Sequence, residues 1–182
     1  MFKDLGIQID SMLTKSTIDN VDLSLIVQLI NEFSTKIILA SDNEIDYGRY
    51  LAYKSENLNI QVDIFSENYK GQIHNHNTWG VIGIINGNFI IRDFTEIKGK
   101  LNNIRSILAV KGLVSYFPKS SDIHSLECLK GLQGVTIHIY GKGFDMDNGM
   151  RYIEKSNSWE KYKRSKLKDF NKIRANFKIK EN

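Results

Sequence analysis

Histidines at short, regular spacings are the residues of this chain best suited to chemistry. His74 and His76 stand two positions apart, and residues two apart on a β-strand point to the same face of a sheet. They can offer two imidazoles to one ion, and His124 can supply a third from a neighbouring strand. Imidazole suits Fe, Ni, Cu and Zn, whereas Mg and Ca prefer oxygen ligands. The pattern therefore predicts a metal site at these three histidines, and the alternative is a pair of surface histidines on a strand.

The first part of the chain, which would lead into that site, has a helical pattern. Phe2 to Leu13 reads as an amphipathic helix, and possible N-caps stand at positions 19–22. After them, apolar residues recur at helical spacing: Val21, Leu23, Leu25, Ile26, Leu29, Ile30 and Phe33. These patterns predict a helical lead-in over residues 1–46.

Beyond residue 50 the hydrophobic period changes from helical to alternating. Leu58 to Phe65 reads as a half-buried strand, and Asn86-Gly87 is a strong hairpin signal. Six further strands are predicted between Gly or Asn turns: 79–85, 88–94, 104–110, 113–117, 124–129 and 134–140. Many short strands after a helical lead-in predict a mainly β protein with a closed or double-sheet barrel over residues 47–159.

The net charge of +4 is concentrated near the C-terminus. Residues 155–182 contain ten Lys and Arg against three Asp and Glu, so residues 1–154 are slightly acidic. We predict one domain over 1–159 and a basic helical tail over 160–182, either solvated or docking a partner. The barrel lacks a basic patch with interleaved aromatics, so we expect no nucleic-acid partner.

Cysteine usage and hydropathy indicate the compartment. Cys128 is the single cysteine, which excludes an internal disulfide and fits a reducing environment. Residues 1–15 lack the apolar core of a secretory signal, and no apolar stretch approaches the roughly 20 residues that a membrane span needs. We expect a cytoplasmic monomer with no membrane partner, in which Cys128 is an inert core thiol.

The motifs around the histidines resemble those of the cupin superfamily. The first cupin motif, a Gly, a His-x-His and a closing Gly, is matched by Gly71, His74, His76 and Gly87. Residues 118–124 match the second motif, which brings in the third histidine. Ordinary cupins add a Glu ligand after the second histidine, but residues 77–81 contain no carboxylate. Three histidines without a carboxylate are similar to the Fe(II) site of the cysteine dioxygenase family of thiol dioxygenases.

Two further segments resemble the same family. Thr136-x-His138-x-Tyr140 is similar to its Ser-His-Tyr segment, with Thr in place of Ser. Tyr47-Gly-Arg49-Tyr-Leu is similar to the segment whose Arg binds the substrate carboxylate. The string His-x-His-x-Thr-Trp-Gly-Val-Ile-Gly looks especially like the bacterial members.

The resemblance covers residues 47–145, and the chain departs from the family at two positions. Asn75 stands where most members have Asp between the first two histidines. Gly80 stands near the position of a cysteine that cross-links to the tyrosine in the animal enzymes. Tyr140 is therefore expected to be an unmodified phenol, as the bacterial type implies.

The resemblance implies a mononuclear Fe(II) centre at which a small carboxylate-bearing thiol and O₂ give a sulfinic acid. It implies that Arg49 and Tyr47 bind the substrate, with cysteine favoured over 3-mercaptopropionate. It also implies that Tyr140 and His138 act in catalysis.

Several alternatives remain open at this point. His138 could be a hydrogen-bonded core histidine, Arg49 could be an ion-pair partner of Asp46, and Arg151 is a second candidate for the carboxylate. Two other functions are a cupin isomerase or hydrolase using Zn, Ni or Mn, and a small-molecule sensor whose basic tail docks a partner.

Overall fold

A computed structural model describes residues 1–13, 23–40, 45–144, 149–164 and 166–180. The candidate N-caps at positions 19–22 lie outside the described residues. Within the described ranges, no helix has the length and apolar character needed to cross a membrane.

Two amphipathic helices open the chain, as predicted. Helix α1 spans Phe2–Leu13 and helix α2 spans Leu23–Lys36. Their buried apolar residues recur three or four positions apart, which is the spacing of one helix face: Phe2, Leu5, Ile9 and Leu13 on α1, and Ile26 and Ile30 on α2. Both helices therefore present one face to the β-sheet described next.

The strands, numbered in chain order, are β1 Ile37–Leu39, β2 Gly48–Lys54, β3 Leu58–Phe65, β4 His74–Asn75, β5 Gly80–Asn86, β6 Phe89–Ile97, β7 Lys100–Ala109, β8 Val114–Phe117, β9 His124–Cys128, β10 Gly134–Gly141, β11 Gly149–Ile153, β12 Ser158–Tyr162, β13 Lys168–Asp169 and β14 Phe177–Ile179. The order β13-β2-β3-β10-β5-β8 forms one six-stranded sheet, and β12-β11-β4-β9-β6-β7 forms the other. In the described part of the chain from β3 to β11, the path crosses repeatedly between the two sheets, with only the β6–β7 hairpin staying within one sheet, as in a jelly roll. The predicted cupin-type double-stranded β-helix is confirmed.

The central strands of the first sheet, β3, β5 and β10, are buried on both faces because the helices cover their outer side. On β10, Val135, Ile137 and Ile139 belong to the apolar cluster that includes both helices. The alternate residues of the same strand face the barrel interior, and these are Thr136, His138 and Tyr140.

Strand β3 is also fully buried along most of its length, so the half-buried strand predicted there was wrong. Its polar residues Asn59, Gln61 and Asp63 are at most 5% exposed. They pair in register with residues of β10, with Asp63 opposite Thr136. The alternation of polar and apolar residues on β3 thus arises from a polar barrel interior and an apolar helix-facing side.

The predicted basic helical tail over 160–182 was also wrong. Its described residues form short strands and the 3₁₀ turns Phe170–Lys172 and Arg174–Asn176. Strand β13 pairs with β2, and β14 pairs with β1. The many charged residues suggested a solvated segment, but three apolar residues among them belong to the core: Phe170, Ile173 and Phe177. The segment is built into the domain, so a sensor could not use it as a free docking helix.

Phe177→Ala is expected to lower the free energy of unfolding by about 3 kcal/mol, because it leaves a cavity in the core. The Phe177 ring lies 5.7 Å from that of Phe2 and 5.6 Å from that of Phe170. Urea unfolding followed by circular dichroism measures the change. The control Lys178→Ala removes an exposed neighbour and should change stability by less than about 0.5 kcal/mol. Equal small effects would contradict the core assignment.

Candidate metal centre

Pairing between β4 and β9 brings the predicted histidines together. His74 stands directly opposite His124 in the register of these strands, and His76 follows just after β4. One nitrogen from each of the three imidazoles lies within 4.8 Å of the others. The described residues place no carboxylate in this group. The arrangement is a three-histidine cluster on the inner wall of the barrel.

Backbone carbonyls fix the orientation of two of the rings. His74 Nδ1 lies 2.8 Å from the carbonyl oxygen of Gln72, and His124 Nδ1 lies 3.1 Å from that of Asp122. A carbonyl only accepts, so each Nδ1 carries the proton and each Nε2 retains its lone pair. Both ring nitrogens of His76 are buried without a hydrogen-bond partner among the described residues. A bound metal ion would satisfy this orphaned imidazole, so the donor set fits a metal.

Burial keeps the three imidazoles neutral. It lowers the pKa of His74 to about 4 and the pKa values of His76 and His124 well below their usual range. Repulsion from neighbouring histidines lowers the pKa values of His76 and His124 further. Neutral imidazole is the form that binds metals. The cluster is therefore ready to accept a cation at neutral pH.

Two residues that sequence analysis missed hold the backbone around His76. The carboxylate of Asp122 accepts hydrogen bonds from the backbone N–H groups of His76 and Asn77, at 2.8 and 2.5 Å. Arg164 Nη2 donates to the carbonyl of Asn75 at 2.8 Å. Asp122 lay inside the second cupin motif, but Arg164 had been counted as part of the basic tail, and no local pattern marks it.

Aromatic rings enclose the cluster on the side of His76. The His76 ring lies 4.4 Å from Tyr140, 5.3 Å from Phe144 and 5.8 Å from Phe117, measured between centroids. Phe144 stacks on Tyr140 at 4.1 Å with nearly parallel planes. This wall excludes water from one side of the cluster and leaves the opposite side to the cavity.

Alternate residues of β10 form a continuous hydrogen-bond chain. Thr136 Oγ1 lies 2.7 Å from His138 Nε2, and His138 Nδ1 lies 3.0 Å from the Tyr140 hydroxyl. Burial lowers the pKa of His138 to about 4 and raises that of Tyr140. Both groups are therefore neutral at pH 7. His138 is therefore both a buried, hydrogen-bonded core histidine and the central member of this hydrogen-bond chain.

Gly80 stands directly opposite Tyr140 in the pairing of β5 with β10. A Cβ at Gly80 would come within 2.2 Å of a ring carbon of Phe117, so the closely packed ring leaves no room for a side chain. Cys128 is buried, and burial raises its thiol pKa. These positions are consistent with an unmodified tyrosine and an inert thiol.

A cavity of about 630 Å³ opens beside the cluster. His74, His124, His138 and Tyr140 line it, together with the predicted substrate residues Arg49 and Tyr47. Arg49 forms an ion pair with Asp63, not with Asp46: its Nε lies 3.1 Å from Asp63 Oδ2. Asp63 also lines the cavity and was missed because β3 reads as a strand with a solvent face.

Arg151, the second candidate for carboxylate binding, is engaged elsewhere. It stands opposite His74 in the pairing of β11 with β4. Its guanidinium contacts Glu160 and lies 3.1 Å from Gln72 Oε1. Arg151 is not among the described residues that line the cavity, whereas Arg49 is.

No family model and no curated protein matches the chain. Solved structures do show similarity. A cupin superfamily protein from Desulfitobacterium hafniense is 15% identical, with a TM-score of 0.43 over 64% of this chain and 87% of that one. A cupin family protein with a double-stranded β-helix fold from Methanocaldococcus jannaschii is 10% identical, with a TM-score of 0.43 over 57% and 84%.

A structure from work on DMSP lyases is 12% identical, with a TM-score of 0.42 over 53% of this chain. The match spans 44% of that protein's length. Similarities at this level say nothing about substrate or metal.

His124→Ala is expected to weaken metal binding beyond the roughly 10–100-fold loss typical of removing a supporting hydrogen bond, because it removes one of three donors. Competition with a chelator of known affinity measures the change. The control His138→Asn should retain the metal, since both nitrogens of His138 contact Thr136 and Tyr140 instead. Unchanged affinity in His124→Ala would contradict the cluster as a metal centre.

The metal-free protein is expected to lose stability as the pH falls from about 6.5 towards about 4. The unfolded chain protonates His138 near 6.5, whereas the folded protein resists protonation until about 4. The unfolded state therefore binds more protons in this window and is favoured by acid. Urea midpoints across the window measure the slope, which should be shallower in His138→Asn. An identical slope in both proteins would mean that His138 is not held neutral by the fold.

Proposed function

We propose that this protein is a mononuclear non-haem Fe(II) thiol dioxygenase that converts a small thiol and O₂ to a sulfinic acid. The observation that carries the proposal is a cluster of three neutral imidazoles, with no carboxylate in the described group, opening onto a cavity lined by Arg49 and Tyr140. Neutral ligands leave the full charge of a divalent ion available to anions such as a thiolate.

Iron, when bound to His74, His76 and His124, would bring the thiolate and O₂ together and supply the redox chemistry. The protein's own contribution is to hold the reactants in position, which accounts for a large part of many enzymatic rate enhancements. The backbone contacts of Asp122 and Arg164 fix the loop that carries His76. The aromatic wall keeps water away from one side.

Tyr140 is the proposed hydrogen-bond donor to the reacting oxygen or to the substrate carboxylate. Burial keeps its phenol protonated at neutral pH. If His138 carries its proton on Nδ1 and donates to the Tyr140 oxygen, the phenol proton is free to point into the cavity. Thr136 then donates its hydroxyl proton to His138 Nε2 and fixes that tautomer. The hydrogen bonds from Thr136 through His138 to Tyr140 would thus orient the phenol proton of Tyr140 towards the cavity.

Oxygen consumption by protein loaded anaerobically with Fe(II) tests the function. We expect about one O₂ consumed per thiol oxidised, with a sulfinate product identified by mass spectrometry. Cysteine, 3-mercaptopropionate and cysteamine are offered in parallel. Protein with His124→Ala serves as the control and should consume no O₂ above the rate of free iron. Iron-loaded wild-type protein that takes up no O₂ with any of these thiols would refute the proposal.

A further inference from the structure

The Arg49–Asp63 pair stands on adjacent strands at the cavity wall. The two residues are direct partners in the pairing of β2 with β3. Their side chains are 19% and 5% exposed, and both line the cavity. Burial opposes the charge on Arg49, but neighbouring groups, Asp63 first among them, together outweigh this effect and raise the arginine pKa above its usual value. The two side chains therefore form an ion pair at the cavity wall.

The side-chain charges at this part of the cavity wall, apart from the charge of any metal ion, are balanced before a substrate binds. Of the described residues that line the cavity, Arg49, Asp63 and Lys70 carry charge. Lys70 is largely exposed and lies 3.8 Å from Glu127, and the histidines are neutral. A substrate that brings only a carboxylate to Arg49 would place it beside the buried carboxylate of Asp63. Two carboxylates that contact the same guanidinium group lie close together, and their negative charges repel each other.

One oxygen of Asp63 still needs a donor. Oδ2 accepts from Arg49 and lies 3.7 Å from His138 Nε2. Oδ1 is buried and has no hydrogen-bond partner among the described residues. A buried carboxylate oxygen without a donor is costly, and an ammonium group is the kind of donor that offsets the cost most strongly.

We propose that Asp63 is a specificity-determining residue that binds the ammonium group of the substrate through Oδ1, while Arg49 binds its carboxylate. The inference rests on the proposed function and narrows its substrate class to thiols that carry an amine. A zwitterion such as cysteine satisfies both members of the pair. A thiol acid without an amine leaves Oδ1 unsatisfied and competes with Asp63 for Arg49.

Anaerobic calorimetry on Fe(II)-loaded protein tests the selection without turnover. Two matched pairs of thiols differ by the ammonium group alone: cysteine against 3-mercaptopropionate, and cysteamine against ethanethiol. In each pair the wild-type protein should bind the amine-bearing thiol about tenfold more tightly or better, the scale of one charge-assisted hydrogen bond. This comparison needs no variant.

Asp63→Asn should change the two acids in opposite directions. Cysteine affinity should fall by about tenfold, because the ammonium loses its anionic partner. Affinity for 3-mercaptopropionate should rise, because Arg49 is released and the repelling carboxylate is gone. A variant that merely damages the site would lower both. The matched control is Glu32→Gln, which also removes one negative charge but pairs with Lys36 on α2 and does not line the cavity.

The outcomes separate this inference from the proposed function. Tight thiol binding without a preference for the amine in wild-type protein would overturn the role of Asp63 and leave the dioxygenase proposal standing. Equal losses for both acids in Asp63→Asn would also overturn it. Binding of none of the four thiols to the iron-loaded protein would overturn both. A shift in preference with Glu32→Gln as large as that with Asp63→Asn would assign the effect to net charge and overturn the role of Asp63.

Discussion

Burial of the central strands of one sheet on both faces is the constraint on which the rest of this structure depends. The helices cover the outer side of β3, β5 and β10, so each polar residue on the inner side must find its partner inside the barrel. The chain from Thr136 to Tyr140 and the Arg49–Asp63 pair are the result. A slip of one residue in β10 would turn His138 towards the helices and an isoleucine towards the cavity. The register of β10 therefore determines which side chains line the cavity.

Sequence analysis predicted the features that depend on local periodicity. Both helices, the main strands and the pairing of His74 with His76 follow from spacing along single segments. His124 was assigned to the group from the motif around residues 118–124, and the pairing of β4 with β9 brings it there. Asp63 was missed because polar alternation on a strand looks the same whether the polar side meets water or a polar interior. Arg164 was missed because it acts from the far end of the chain. The C-terminal segment was misread since its charges suggested a helix, while its few aromatic residues pack into the core.

The segment around His76 is held through its backbone atoms, which the side chains of Asp122 and Arg164 contact. Asp122 holds N–H groups on one side of His76, and Arg164 holds a carbonyl on the other. The Arg164 contact uses the main-chain oxygen of Asn75, which any residue at this position would offer. The contact therefore does not depend on which side chain stands at position 75.

The pairing of β1 with β14 has a consequence for how the chain folds. Residues 37–39 meet residues 177–179, so nearly the whole described chain must be synthesised before this pair can close. Contacts between such distant segments form slowly because a long loop must be closed first. Until then the apolar outer face of the first sheet lacks part of its cover. We therefore expect the chain to be most prone to aggregation before its C-terminal strand has paired.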